Sequence, residues 1–532
     1  MQDLLILNGT VVDGSGEAPY IADIAVTGGK ITKIGQLKEE KAKKIIKAQG
    51  LIVCPGFIDD HSHGDLNALL DPHAANQLLQ GITTEVGGQC GVSLAPIREK
   101  PYSMAVSLIP FRNNEERERL LKPMTFPEWM DQVEKTPLGI NLVCLIGQGT
   151  VRAAVMGYAS GEADDAQMEE MRTIVREAMK AGAAGISTGL IYPTGTLTDT
   201  PELTELAKVV GEYNGLYCTH MRDESDEILT GIKEALQIAS GAGTRLVISH
   251  HKIIGLRNAG KSRETLAMVD AANAAGMDVY MDQYPYDAGA TALMAALPER
   301  HAADKDALLK NLPDPEYRAL VKSEMEAGIG GGMAKAFDGL SHVFIGWTDL
   351  YPDYAGRSPV EIAAETRKDP YEILFDVLLD TKAEVRGIFQ GVAEEDLQRI
   401  MQHERTMFGT DASHATFVNS FGHPRAFGTF PLVLTKYVRD EKILSIEEMV
   451  RKASALPAQV LGLEKKGILK PGNDADIVVM DLEGMKVSSS YTNPDGGNKG
   501  FRYVLVNGEI AVENDQCTDR LGGRLLRISH DR

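Results

Sequence analysis

Along the first fifty residues, apolar and polar positions alternate as in strands and turns. Leu4-Leu5-Ile6-Leu7 runs into Asn8-Gly9, a hairpin-type signal, and on into Thr10-Val11-Val12. Asp23 to Val26 and Lys30 to Gly35 continue the pattern. From residue 51 the period changes. Short apolar runs now alternate with amphipathic helical stretches. The runs at Phe57, Thr83 to Val86, Leu142 to Ile146, Ala184 to Ser187, Leu216 to Thr219, Leu246 to Ser249, Val279 to Met281 and Thr406 to Thr410 predict eight strands. Between them, Gln167 to Lys180 sets Met168, Met171, Ile174, Val175, Ala178 and Met179 on one helical face. Thr200-Pro201 offers an N-cap followed by proline at N1, and Ser225 precedes a stretch with Ile228, Ile232 and Leu236 apolar. Alternating strands and helices predict a parallel sheet. Eight such units over this length predict an α/β fold built on a closed (β/α)8 barrel.

Three segments depart from that rhythm. Residues ~286 to ~345 contain Pro298, Pro313, Pro315 and the run Gly328-Ile329-Gly330-Gly331-Gly332. That is too long for an ordinary loop and predicts an inserted lid subdomain. Residues 99 to 135 predict a charged helical excursion between the second and third strands. After about residue 465 the pattern is β again, with Ala475 to Met480 and Tyr503 to Glu509. The expected organisation is a small β-sandwich from residues 1–55 plus 465–532, a barrel over 56–464, and the lid at 286–345 within it.

The chain has 532 residues, 43% of them hydrophobic and 24% charged, enough for a large core and more than one domain. Its net charge of −20 argues against nucleic acid or an anionic membrane as a partner. No apolar stretch nears the ~18 residues of a membrane span. Met1-Gln2-Asp3-Leu4 opens no charged and apolar secretion signal. Five cysteines, Cys54, Cys90, Cys144, Cys218 and Cys517, are too sparse for a disulfide framework, so a cytoplasmic setting is expected.

The candidate chemistry sits where the predicted strands end. The first feeds directly into His61-Ser62-His63. Residues i and i+2 of a strand share a face, so both imidazoles can aim at one point, as metal ligands must. Taken alone, the pair fits a hydrogen-bonded structural role equally well. Later strands close on His220, His250 and Asp411, and the loop Gly87-Gly88-Gln89-Cys90-Gly91 offers a thiol among glycines. His220 and His250 are about one βα unit apart, which sets them on adjacent strands. Cys90 alone would be an inert buried thiol, and Asp411 alone a loop cap. Barrel enzymes gather their sites at the C-terminal strand ends, and the convergence of these residues there predicts a metal site. His251 should point away from it.

These pieces resemble the amidohydrolase superfamily, and within it the N-acyl-D-amino-acid deacylases (D-aminoacylases). The resemblance rests on Pro55 to Asp59 before His61 and His63, Gly88 to Pro96 around Cys90, Thr219-His220-Met221-Arg222, Ser249-His250-His251-Lys252, Gly409-Thr410-Asp411 and His423 to Pro431. It implies a tight Zn2+ held by Cys90, His220 and His250, and a weaker second site at His61, His63 and Asp411 whose occupancy varies in the family. It implies that Asp411 is the general base, taking a proton from water and handing it to the leaving amine. Tyr192, Lys252 and Arg425 would bind the substrate carboxylate, with Arg425 remote from the reacting carbonyl. Where relatives often carry a serine, this chain has Ala290, which cannot donate a hydrogen bond. The implied reaction is hydrolysis of an N-acyl-D-amino acid to a carboxylate and a free D-amino acid. A cyclic-amide hydrolase of the dihydroorotase or hydantoinase type usually carries a bridging lysine, and Cys90 argues against it. A non-catalytic scaffold on the same barrel would have lost ligands, whereas all six positions are filled here. Preferred side chain, acyl group, metal count and oligomeric state are left open by the sequence.

Two further motifs are weighed and set aside. Gly255 to Ser262 fits the phosphate-loop pattern, yet four residues separate it from the strand end, so an active-site loop is expected there, its basic residues attracting an anionic substrate. Gly185-Ile186-Ser187-Thr188-Gly189 fits the serine-hydrolase elbow, yet a loop rather than a helix follows.

Overall fold

The computed structural model describes the chain except residues 38–39, 110, 112, 160, 193, 303, 331–338, 415–421 and 531–532. Gly331 and Gly332 of the glycine run therefore lie outside the described residues. In chain order, β1 (Gln2–Val11), β2 (Tyr20–Thr27), β3 (Lys30–Gly35), β4 (Ala42–Lys47) and β5 (Ile52–Pro55) form the N-terminal part of one sheet. The barrel strands follow as β6 (Phe57–Asp59), β7 (Ile82–Gly87), β8 (Asn141–Cys144), β9 (Ile146–Gly147), β10 (Gly185–Gly189), β11 (Leu216–His220), β12 (Arg245–Ile248) and β13 (Val279–Gln283). An excursion carries β14 (Ala288–Ala292), β15 (Val343–Ile345) and β16 (Arg386–Gln390) before the last barrel strand, β17 (Thr406–Phe408). Finally β18 (Ile477–Met480), β19 (Phe501–Val506), β20 (Glu509–Glu513) and β21 (Gln516–Cys517) return to the first sheet.

Every barrel pairing is parallel. β6, β7 and β8 pair in order, as do β9 to β13 and then β17. β8 and β9 are one strand interrupted at Leu145, whose N–H still donates to Gly87 O at 2.9 Å. The ring closes where Asp60 N–H donates to Phe408 O (3.1 Å) and His63 N–H to Ala412 O (2.9 Å). Inside it, Ile58, Val86, Val143, Cys218, Val247 and Met407 pack together. Leu456 to Leu461 and the tail residues Leu526 and Ile528 join that cluster, and Ile528 N–H bonds Gly182 O just ahead of β10. The N-terminal end of the barrel is thus plugged, and the C-terminal end is the mouth.

The outer helices follow the expected periodicity. Asp165–Lys180 buries Met171, Val175, Ala178 and Met179 and starts at a capping box of Asp164 and Gln167. The next helix is capped one residue earlier than its sequence suggests. Asp199, not Thr200, accepts the N–H of Glu202, because its carboxylate adds a charge that favours the helix N-terminus. Ser225 caps no helix either, its hydroxyl being bound to Asp223 ahead of Ile228–Ala242.

The first sheet has nine strands, in the order β21-β20-β19-β18-β5-β1-β2-β3 with β4 beside β1, so both chain ends build the β-sandwich. Alternation along β18 sends Ile477 and Val479 into the sandwich core and Val478 and Met480 towards the barrel side. Residues beyond β21 leave the sheet, since Leu525 pairs with Leu142 of the barrel. The excursion has its own antiparallel sheet, β14-β16-β15, and its own core around Leu293, Leu312, Val321, Phe375 and Phe389. Its pairing runs on to Gln390, well past residue 345. Among the described residues, no helix is long and apolar enough to cross a membrane.

Candidate metal centre and active site

Cys90 hangs over the mouth on a loop that only glycine permits. A Cβ on Gly88, at φ +79°, would sit 2.0 Å from Leu145 O, and one on Gly91, at φ +72°, 2.7 Å from Gly189 N. Ser187 clamps this loop from β10. Its hydroxyl donates to Gly88 O and accepts the Gly91 N–H at 3.0 Å. The serine of the elbow-like motif is therefore a buried strut.

The strand ends bring three imidazoles to that thiol. Cys90 Sγ lies 3.3 Å from His61 Nε2, 3.4 Å from His250 Nε2 and 3.7 Å from His220 Nδ1. Asp411 Oδ1 lies 3.1 Å from His63 Nε2 and 3.7 Å from His61 Nε2. Two candidate ligand groups result, Cys90 with His220 and His250, and His61 with His63, Cys90 and Asp411, all buried. Zn–S near 2.3 Å and Zn–N near 2.0 Å at a tetrahedral angle put sulfur and nitrogen about 3.5 Å apart. The observed separations to His220 and His250 bracket that value, so the donors fit zinc. Burial holds the pKa values of His220 and His250 well below the ordinary value, leaving the neutral imidazoles that ligation needs. Burial also pushes the Cys90 thiol up, against the pull of His61.

Two acids that the sequence reading passed over orient these rings. Glu224 Oε1 lies 3.0 Å from His250 Nδ1, and its Oε2 lies 3.6 Å from His220 Nε2. Asp282 Oδ2 lies 3.3 Å from His61 Nδ1, while Oδ1 accepts the His250 N–H at 2.8 Å. Burial opposes a charge on His61, but Asp282 and Cys90 outweigh it and raise its pKa well above the ordinary value. Asp282 stands one residue before the end of the seventh strand, a position that the strand-end rule reaches. Glu224 lies in a loop with no pattern around it. His251 turns away as expected, its Nε2 2.9 Å from Thr265 Oγ1.

The three expected substrate contacts all reach the mouth. The Tyr192 ring packs edge-on to His220 at 5.1 Å. Lys252 Nζ is engaged by Glu224 (2.7 Å) and donates to His250 O (3.1 Å). Arg425 is not remote from the reacting centre. Its Nη1 lies 2.7 Å from Asp411 Oδ2, and its Nη2 donates to Ala290 O at 3.2 Å. The backbone carbonyl of Ala290 thus aims the guanidinium. Burial opposes ionisation of Asp411, but Arg425 and His63 overcome it and hold the carboxyl well below its usual range. A cavity of about 880 Å³ opens beside this cluster, between Tyr192, His220 and Glu224 of the barrel and Thr291, Met294 and Leu297 of the excursion.

The phosphate-loop match holds no vacant cradle. Gly260 N–H donates to Asp396 Oδ2 (2.8 Å) and Ser262 N–H to Asp396 Oδ1 (3.3 Å), so a protein carboxylate fills it. Its cations are also engaged, Arg257 with the Asp226 carboxylate and Lys261 with Asp226 O. They are not the substrate attractors expected of them.

A closed eight-stranded barrel with thiol, imidazole and carboxylate converging at its mouth has the architecture of a metal-dependent hydrolase. Comparison with known proteins agrees. A family model described as the amidohydrolase family matches residues 44–512. D-aminoacylase of Alcaligenes xylosoxydans xylosoxydans is 33% identical over 98% of this chain and 97% of its own length. A crystal structure of D-aminoacylase superposes with a TM-score of 0.83 at 32% identity, covering 99% of this chain and 100% of that one. N-acyl-D-glutamate deacylase from Bordetella bronchiseptica, solved with zinc and a phosphonate mimic of the tetrahedral intermediate, gives 0.80 at 30% identity, with 99% of each chain covered. The chain belongs to the amidohydrolase family.

Proposed function

We propose that this protein hydrolyses the amide bond of N-acyl-D-amino acids with zinc as its resident metal, releasing a carboxylate and a free D-amino acid. The observation that carries this reading is the Cys90 thiol set among His61, His220 and His250 at the barrel mouth. The preference for the D-enantiomer rests on kinship with the deacylases above. Cys90, His220 and His250 hold the tight metal, and His61, His63 and Asp411 a weaker second one. When bound, zinc supplies the Lewis acidity that lowers the pKa of a water and polarises a carbonyl.

The protein groups do the rest. Asp411, ionised at neutral pH, accepts the proton of the attacking water and returns it to the nitrogen as the C–N bond breaks. Arg425 receives the substrate carboxylate in its planar fork. Its present partner is Asp411, so substrate and general base compete for one guanidinium, and binding frees an Asp411 oxygen to take the proton. Tyr192 and Lys252 line the same approach. Residues 1–55 with 465–532 serve as a supporting sandwich, apart from the tail beyond β21, which joins the barrel, and 56–464 as the catalytic barrel with the excursion from 286 over its mouth. The free thiols and the net charge of −20 suit a cytoplasmic enzyme without nucleic-acid or membrane partners.

The test combines metal analysis of the purified chain with hydrolysis of N-acetyl D- and L-amino acids. About one tight zinc per chain and turnover of the D-series are expected. Protein without zinc despite an intact Cys90, or faster turnover of N-acetyl-L-methionine than of its D-isomer, refutes the reading.

A further inference from the structure

Side chains alternate across β16. Phe389 enters the core of the excursion, and Arg386, an odd number of residues away, emerges on the opposite face. Its register partner is Ala292, which lines the cavity, and two residues along that strand Ala290 O holds Arg425. Arg386 therefore sits over the mouth, one step outward from Arg425. The groups that act on its charge are Arg425, Asp411 and Tyr192, all members of the site.

Four of the other cations near the site are already paired, while Lys100 and Arg117 also line the cavity. Arg425 pairs with Asp411, Lys252 with Glu224, Arg222 with Glu234 and Lys305 with Glu384. The Arg386 guanidinium makes no hydrogen bond or ion pair among the described residues. It is open to solvent yet crowded by protein, and burial together with the Arg425 charge lowers its pKa to about 10. A cation kept without a partner in a partly desolvated cleft costs stability, so such a position invites an anionic ligand. A guanidinium fork matches a carboxylate in two parallel hydrogen bonds.

Building on the deacylase reading, we propose that Arg386 determines specificity by gripping a second carboxylate, carried by the side chain of the substrate. Arg425 takes the α-carboxylate near the scissile amide, and Arg386, further out, takes the terminal one. The favoured substrates are then N-acyl derivatives of acidic D-amino acids.

The experiment compares kcat/KM for N-acetyl-D-glutamate, N-acetyl-D-aspartate, N-acetyl-D-leucine and N-acetyl-D-methionine in the zinc-loaded wild type, Arg386→Met and Arg386→Lys. The wild type should favour the acidic pair by ~100-fold or more, as expected where a site built for a polar group meets a substrate lacking it. Arg386→Met should collapse that ratio towards unity, and Arg386→Lys should restore part of it. A ratio does not depend on how much of a variant is folded. Neutral substrates turning over as fast as acidic ones, or a ratio unchanged in Arg386→Met, overturns this inference alone. Turnover of none of the four overturns the deacylase reading and this inference with it.

Discussion

Cys90, His250 and Asp411 share an unusual backbone, with φ of +55°, +36° and +50°. Side chains other than glycine avoid that region at a cost of roughly 1–2 kcal/mol each. All three stand where the chain leaves the ring, and the left-handed turn swings each side chain back over the mouth. Asp411→Asn keeps size and shape but cannot take a proton, so kcat should fall ~100-fold or more while zinc at Cys90, His220 and His250 stays. A kcat within tenfold of wild type would remove Asp411 from the general-base role. Arg425→Ala should raise KM and lower kcat together, because the guanidinium touches both the incoming carboxylate and Asp411. A pure KM effect in steady-state kinetics would separate Arg425 from the base. Glu224→Gln should weaken zinc ~10- to 100-fold in a chelator competition, because the carboxylate fixes the His250 ring through Nδ1. Unchanged affinity would leave Glu224 a partner of Lys252 only.

At the scale of elements, the loop after β17 is pinned to β7 by His414, whose Nε2 lies 2.6 Å from Glu85 Oε1. Burial works against the imidazolium, but the Glu85 charge outweighs it and raises the pKa to about 9. A pKa raised from about 6.5 gives stability that is fully present below pH 6.5 and is lost as pH rises through about 9. Denaturant midpoints measured from pH 6 to pH 10 should therefore fall, and His414→Gln should flatten that fall and remove roughly 2–4 kcal/mol at the acid end. A slope that His414→Gln leaves unchanged would assign the pH dependence elsewhere. Such elements differ in how openly the sequence shows them. The barrel strands are legible because each is an apolar run ending on a polar residue, and the ligands lie at those ends. Glu224 acts through contacts between segments distant in sequence, which no local period encodes, whereas Asp282 lies within reach of the strand-end rule. The reach of the excursion beyond residue 345 is hidden in the sequence because β15 and β16 are three and five residues long and separated by helices, too brief for alternation to stand out.

At the scale of the whole molecule, the ring closes between its first strand and its last. Asp411 N–H donates to His61 O at 2.7 Å, and Ser62 pairs with Ala412, so the two halves of the candidate second metal site are neighbours only after closure. The nine-stranded sheet is likewise completed from both ends, β18 being the strand that pairs with β5. On a ribosome this becomes a matter of timing. His61, Cys90, His220 and His250 emerge long before Thr406, and until then the growing chain carries a soft thiol and several imidazoles with no wall on one side. Nascent chains arrested before Thr406 should retain no zinc and yield readily to protease, whereas chains released at full length should resist it. A cell making this protein would have to hold the unfinished chain away from other metals and oxidants until the last strand arrives.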